Sequence, residues 1–483
     1  MEKKRKRLIF AGILVFCTAT LVLVWFCLKN KKWNEPAFEN AEYEGVFCTM
    51  ISDPVFSEED FQVYRGLEIV KSSNLLKSFE DIFSMTQTVF QYNPGVQTVY
   101  LEIDPMILWE DVNRRTEKWT ERMEQCVLDT MRQQSNTIFE ILLPSPKITY
   151  FKNMDATDWE EYETIYTAFV SVFEKMNNVL IYYVGAEQWL NSNPDNYVDT
   201  YKLNPQIEKK IFLSVFCDRK YIITTDTIMD KMKELQVQTA ENILRLEEYP
   251  DFSEWKFVFL GDSIFGIDMS TTSIPGVVGA MSGASTYNCA KNGATAVRAD
   301  EDERTFLGVT EALITDNYGN ISDIDLLGNM NLFLRDYQTS DKLCFFLNFG
   351  LNDYFGGCPL ENSENVYDDT TYKGALRAGI RQLREHYPQA EIVLLIPTYI
   401  YTSNEGNIQY GKSEEVLSDY REAAKSVAEE MGIYCKDNYM DMPVNAANHK
   451  EYLSDECHLN EMGRFVFGEQ LVFFLKDYID WEE

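Results

Sequence analysis

Short, almost wholly apolar runs recur along this chain, separated by longer stretches of helical period, and that alternation restricts the fold more than any other feature. Thr98–Ile103 (TVYLEI), Thr137–Pro144 (TIFEILLP), Phe257–Gly261 (FVFLG), Leu343–Gly350 (LCFFLNFG) and Glu391–Pro397 (EIVLLIP) are short and rich in β-branched and aromatic residues. Such runs read as strands buried on both faces of a parallel sheet. Between them, Asp111–Arg132, Trp159–Lys175, Tyr372–His386 and Glu414–Met431 space their apolar residues as helices do. The alternation predicts an α/β fold with right-handed crossovers. Thr225–Leu246 reads as a further helix, and the EEYPDFSEW segment after it as a domain boundary.

A second signal lies at the N-terminus. Leu8–Leu28 is an uncharged apolar run, long enough to cross a bilayer as one helix. Lys3–Arg7 are all basic and precede it; Lys29, Lys31 and Lys32 follow. That balance predicts a cytoplasmic tip and an extracytoplasmic body. No small-x-small cleavage site follows the run, so it reads as an uncleaved anchor in the cell membrane rather than a signal peptide. Neither Cys17 nor Cys27 has the small preceding residue of a lipoprotein site. The expected organisation is a tip at 1–7, a transmembrane anchor at 8–28 and a tether at 29–43. Then come an α/β domain at 44–235, a linker at 236–255 and a second α/β domain at 256–483.

The formal charge of −33 excludes nucleic acid as a partner, since no basic surface is available to displace counterions from phosphates. The ten cysteines contain no CxxC pair, so neither a metal nor a cofactor is expected from them.

The second half carries residues suited to acyl chemistry. In FVFLGDSIFG a buried strand ends at a glycine turn, and Ser263 sits where a helix would begin. A serine there is exposed, with backbone N–H groups facing any oxyanion. YNCAKNGATA supplies Gly293, whose N–H can approach a ligand closely. LNFGLNDYFGG places Asn352, an amide donor, just beyond a strand. SDECHLN sets Asp455 three residues before His458, one of only three histidines, with Asn460 placed to cap the last helix. Asp455 can hold the ring by its Nδ1 side and leave Nε2 for the serine. His449 and His386 lack such a setting, and Cys457 reads as a small packing residue.

GDS, the glycine block, GxND and DxxH, in that order, resemble the four blocks of the SGNH (GDSL-type) hydrolases, over Phe257 to the C-terminus. Ile264 stands where the family name has leucine. The resemblance implies a three-layer α/β/α sandwich with a parallel sheet. It also implies Ser263 as nucleophile, His458 as base and Asp455 as its orienting carboxylate. The oxyanion hole would comprise the N–H groups of Ser263 and Gly293 and the side chain of Asn352.

The first half echoes the second. NYVDTYKLN lines Asp199–Asn204 up with Asp455–Asn460 without a gap, Lys202 falling where the second stretch has His458. Upstream, ILLP at Pro144 matches LLIP at Pro397, and TVYLEIDP takes the place of LCFFLNFGLND, with Asp104-Pro105 near the Asn352 position. This pattern predicts a duplication whose first, SGNH-like copy has lost its chemistry. A lysine stays protonated at neutral pH unless buried and cannot replace the imidazole.

The expected function is that of a membrane-anchored, extracytoplasmic serine esterase working through an acyl-enzyme. Its substrate would be an acylated surface carbohydrate or cell-wall polymer. An O-acyltransferase using the same triad is the alternative among enzymes, and an inactive carbohydrate-binding or scaffold protein the alternative outside them.

Overall fold

The computed structural model describes residues 44–49, 69–71, 75–246, 248–298, 304–315, 321–401, 409 and 414–478. The tip, anchor and tether expected at 1–43 lie outside them. Among the described residues no helix is long and apolar enough to cross a membrane. The chain divides into two compact units, Met1–Asn191 with Tyr197–Glu241 and Ser192–Asn196 with Asn242–Glu483.

Each unit is α/β around a parallel sheet. In the first, β1 (Gly45–Thr49), β2 (Ile69–Lys71), β3 (Thr98–Glu102), β4 (Ile138–Leu143) and β5 (Val179–Tyr183) lie in the order β2-β1-β3-β4-β5. In the second, β6 (Trp255–Gly261), β7 (Ser285–Asn288), β8 (Lys342–Asn348), β9 (Glu391–Leu395) and β10 (Tyr434–Lys436) lie in the order β10-β9-β8-β6-β7. Read from the other edge, the second path is the first repeated, and every strand pair is parallel. One order in two sheets fits an internal duplication.

The strands are apolar on both faces because helices cover both. Leu343 to Leu347 of β8 are at most 2% exposed, and Phe259 stacks on Phe346 with centroids 4.6 Å apart. Burial of each such ring contributes roughly 1.5–3 kcal/mol. Helix Ile274–Ser282 packs on Glu461–Tyr478, while Phe306–Thr315, Tyr372–His386 and Leu417–Met431 pack in sequence on one another.

The helix expected over Asp111–Arg132 is broken. It runs as Pro105–Asp111, Thr116–Arg122, a wider π turn at Met123–Leu128, and Asp129–Gln133. Asn113 and Arg114 between the first two pieces have φ of 54° and 55°. The break buries Trp109 and Trp119 edge to face, 5.8 Å apart. Glu161 pins it, accepting from Trp109 Nε1 at 3.0 Å and from Arg114 at 3.0 Å. Two buried indoles outweigh a left-handed backbone that costs about 1–2 kcal/mol per residue.

Candidate active site

The site is assembled where β6 and β8 end. Leaving β6, Asp262 is extended and accepts from the Ile264 N–H at 2.9 Å, so that its side chain caps the short helix Ser263–Gly266. Ser263 opens that helix and is 9% exposed. The segment after β7 follows the end of β6: Cys289 N–H donates to Phe259 O at 2.9 Å, and Lys291 N–H to Gly261 O at 3.0 Å. Beyond Lys291 the chain turns at Gly293, whose φ of 79° suits a residue without a Cβ.

β8 gives way to helix Leu351–Gly356 through Gly350, at φ 126°. A Cβ there would stand 2.5 Å from Tyr372 Oη, so the turn requires glycine. Asn352 Nδ2 donates to Ala294 O at 2.9 Å, tying this helix to the residue after Gly293. Asp353, fully buried, accepts from the N–H groups of Ala296 and Val297, each at 3.0 Å. Burial raises its carboxyl to about 6 against the pull of those N–H groups. Asp262 is raised further, to about 7, by burial, with the charge of Asp353 adding to it against the Ile264 N–H.

The last loop brings His458. Leu453 and Leu459 pair as an antiparallel bridge. Between them, Asp455 Oδ1 accepts from the N–H groups of Cys457 at 2.8 Å and His458 at 2.7 Å. Its other oxygen lies 2.7 Å from His458 Nδ1. His458 Nε2 is 2.9 Å from Ser263 Oγ. Partial burial works to raise the Asp455 carboxyl, but the two backbone donors and the imidazole outweigh it and hold it at about 2. An ionised carboxylate, an imidazole and a serine thus form one hydrogen-bonded chain. That arrangement can take a proton from the hydroxyl and balance the charge left on the ring. The Cys457 thiol, pushed up to about 12 by burial and by Asp455, is protonated and is no nucleophile.

The structure therefore joins Ser263, His458 and Asp455 directly, and links Asn352 to the Gly293 turn through Ala294. His449 lies elsewhere, stacked on Tyr401 at 3.5 Å.

Sequence reasoning missed Arg464. Nearly buried, it donates to Leu459 O at 2.7 Å, beside His458, and to Thr272 O at 2.8 Å, beyond the Ser263 helix; it also pairs with Asp268 at 2.9 Å. The available signal was a lone arginine near the start of a mostly apolar helix, EMGRFVFGEQLVFFL.

The first unit carries the same loop without the histidine. Tyr197 and Leu203 form the bridge, and Asp199 Oδ1 accepts from Tyr201 N–H at 2.9 Å and Lys202 N–H at 2.8 Å. Matching the two sheets refines the expected alignment. Asp104 caps helix Pro105–Asp111 as Gly350 precedes Leu351–Gly356, so Met106, not Asp104-Pro105, corresponds to Asn352.

The sequence model of the GDSL-like Lipase/Acylhydrolase family matches residues 259–464. No curated protein matches the chain. Among solved structures, a Lactobacillus plantarum protein is 20% identical, with a TM-score of 0.35 over 47% of this chain and 98% of its own. A possible lipase from Chitinophaga pinensis DSM 2588 is 15% identical, with a TM-score of 0.32 over 46% and 97%. A member of the lipolytic protein G-D-S-L family from Veillonella parvula DSM 2008 is 18% identical, with a TM-score of 0.31 over 46% and 98%.

Proposed function

We propose, since residues 259–464 match the sequence model of the GDSL-like lipase/acylhydrolase family, that the second unit is a serine esterase acting through an acyl-enzyme at Ser263. The observation that carries this reading is the unbroken chain Ser263 Oγ, His458 Nε2, His458 Nδ1, Asp455 Oδ2, with contacts of 2.9 and 2.7 Å.

Ser263 Oγ attacks the acyl carbonyl carbon as its proton passes to His458 Nε2, and the carbonyl electron pair moves onto oxygen. The Ser263 and Gly293 N–H groups and the Asn352 amide receive that oxyanion. Asn352 spends one amide hydrogen on Ala294, and an amide carries two. Collapse expels the alcohol, which takes the proton from His458. Water then enters by the same route, and the freed acid leaves Ser263 restored. Asp455 stays ionised throughout and balances the imidazolium.

The apolar run at 8–28 would anchor the chain with its body outside the cytoplasm. On that surface the fitting substrate is an O-acyl ester, such as an O-acetyl group, on a polysaccharide or cell-wall polymer. The first unit would be a duplicated copy retained without the reaction, with Lys202 and Met106 where the second has His458 and Asn352.

A fluorescent fluorophosphonate applied to wild type and Ser263→Ala tests this reading. Labelling of wild type alone supports it. Equal labelling of both, or of neither folded protein, overturns it.

A further inference from the structure

Two rings hang on the loop that presents His458, and the proposed reaction uses neither. Tyr401 donates its backbone N–H to Glu456 O at 2.7 Å, and Glu456 directly follows Asp455. His449 opens the helix His449–Tyr452. Its carbonyl accepts from Leu453 N–H at 2.7 Å, and Leu453 bridges to Leu459, next to His458. The Tyr401 and His449 rings lie parallel, with centroids 3.5 Å and planes 5° apart, and Ala446 O holds the imidazole at 3.0 Å from Nδ1. His449 covers one face of Tyr401, so the exposure that remains, 37% of the residue, lies on its opposite side. The fold does not need an aromatic ring at this place. In the first unit Lys147 N–H donates to Thr200 O at 2.8 Å, the same tie with a lysine where the second unit has Tyr401.

An aromatic face open on one side suits a ring with one apolar face and a polar rim. A pyranose is such a ring: its axial C–H groups can be buried on the tyrosine while its oxygens stay in water. An alkyl chain is better held in an enclosing groove. Charge then selects among sugars. Glu451, Asp455 and Glu456 are exposed on the segment that carries both rings, and Lys450 is the one lysine or arginine between Asn445 and Asn460. That balance disfavours a carboxylated sugar. We propose that Tyr401, backed by His449, is the platform on which an uncharged pyranose of the substrate lies while its O-acyl group reaches Ser263. Cleavage of the ester there rests on the esterase reading; the stacking does not.

The test compares methyl glucopyranoside tetraacetate, a ring with an ester at every position open to one, with glycerol triacetate, which has the esters without the ring. Methyl glucuronoside triacetate supplies the anionic ring. The ratio of KM for the glucopyranoside to KM for the glycerol ester should rise about five- to tenfold in Tyr401→Ala, the order that one aromatic contact contributes. Tyr401→Phe keeps the ring and should keep the wild-type ratio. In wild type the glucuronoside should show a higher KM than the glucopyranoside. An unchanged ratio in Tyr401→Ala would overturn the proposal, as would a glucuronoside held as well as the uncharged ring. If wild type hydrolyses none of these esters, the esterase reading fails and binding decides the platform separately. Saturation-transfer NMR of the tetraacetate on Ser263→Ala should then give a signal that adding Tyr401→Ala removes. No signal, or the same signal in both proteins, would remove the platform as well.

Discussion

Asp199 in the first unit and Asp455 in the second receive the same pair of backbone hydrogen bonds, each from the residues two and three places further on. The likeness extends outwards: Val198 N–H reaches Lys202 O as Ser454 N–H reaches His458 O. What differs is the side chain this loop presents. Restoring a histidine in the first unit therefore restores one group of several. Lys202→His is expected to give no second fluorophosphonate adduct, with every modified peptide still containing Ser263 by mass spectrometry. An adduct elsewhere in that variant would show that the first unit kept a nucleophile.

Asp455→Asn keeps an oxygen for the two backbone N–H groups and removes the charge behind the imidazole. Its kcat on p-nitrophenyl acetate should fall by roughly 10³–10⁴ while the fold persists, as for other triads that lose this carboxylate. A loss below tenfold would demote Asp455 to a loop brace.

Asn352→Ala removes the proposed oxyanion donor together with the bond to Ala294 O. A fall in kcat of about 10²–10³ is expected, with KM little changed. If KM rises instead and kcat holds, Asn352 binds substrate without stabilising the transition state.

Asp262 gives a pH-dependent prediction. Its carboxyl, ordinarily at 3.8, is raised to about 7 in the folded protein by burial, with Asp353 nearby. The folded state thus keeps a proton that the unfolded chain gives up earlier. The stability linked to that proton is complete below pH 3.8 and is lost as pH rises through about 7. Asp262→Asn keeps an acceptor for Ile264 without the buried charge. Relative to wild type, its urea midpoint should gain on going from pH 5 to pH 8, on the order of 2 kcal/mol. A pH-independent difference would contradict this.

Arg464→Met takes the guanidinium from Asp268, which keeps the Ser270 N–H and the Thr272 hydroxyl, and removes one donor from the carbonyls of Leu459 and Thr272. Breaking a buried pair from one side costs about 3–5 kcal/mol, which urea denaturation would register. Adding Asp268→Leu should recover part of the stability, but not the activity if Arg464 positions the His458 loop. Full recovery of both would make the pair structural only.

The central strands β3, β4, β6, β8 and β9, several of the long helices and the four chemical blocks were legible in the sequence because periodicity and turn residues are local properties. A run such as LCFFLNF is apolar at every position whatever lies beside it. The Asp455-x-x-His458 turn is likewise local, three residues closing on themselves. The pattern Asp199 to Asn204 pointed to a repeat, with Lys202 standing where the second stretch has His458. Tertiary structure decided the rest. Ser263 and His458 are 195 residues apart, and only the shared sheet order brings Oγ to Nε2. The break after Asp111 follows from two tryptophans that pack better than a continuous helix would allow. Arg464, Asp268 and Thr272 meet through chain paths that no spacing encodes. Hydrogen bonds across such separations depend on where the packed elements place their ends, and that is settled by burial of the whole core rather than by any segment alone.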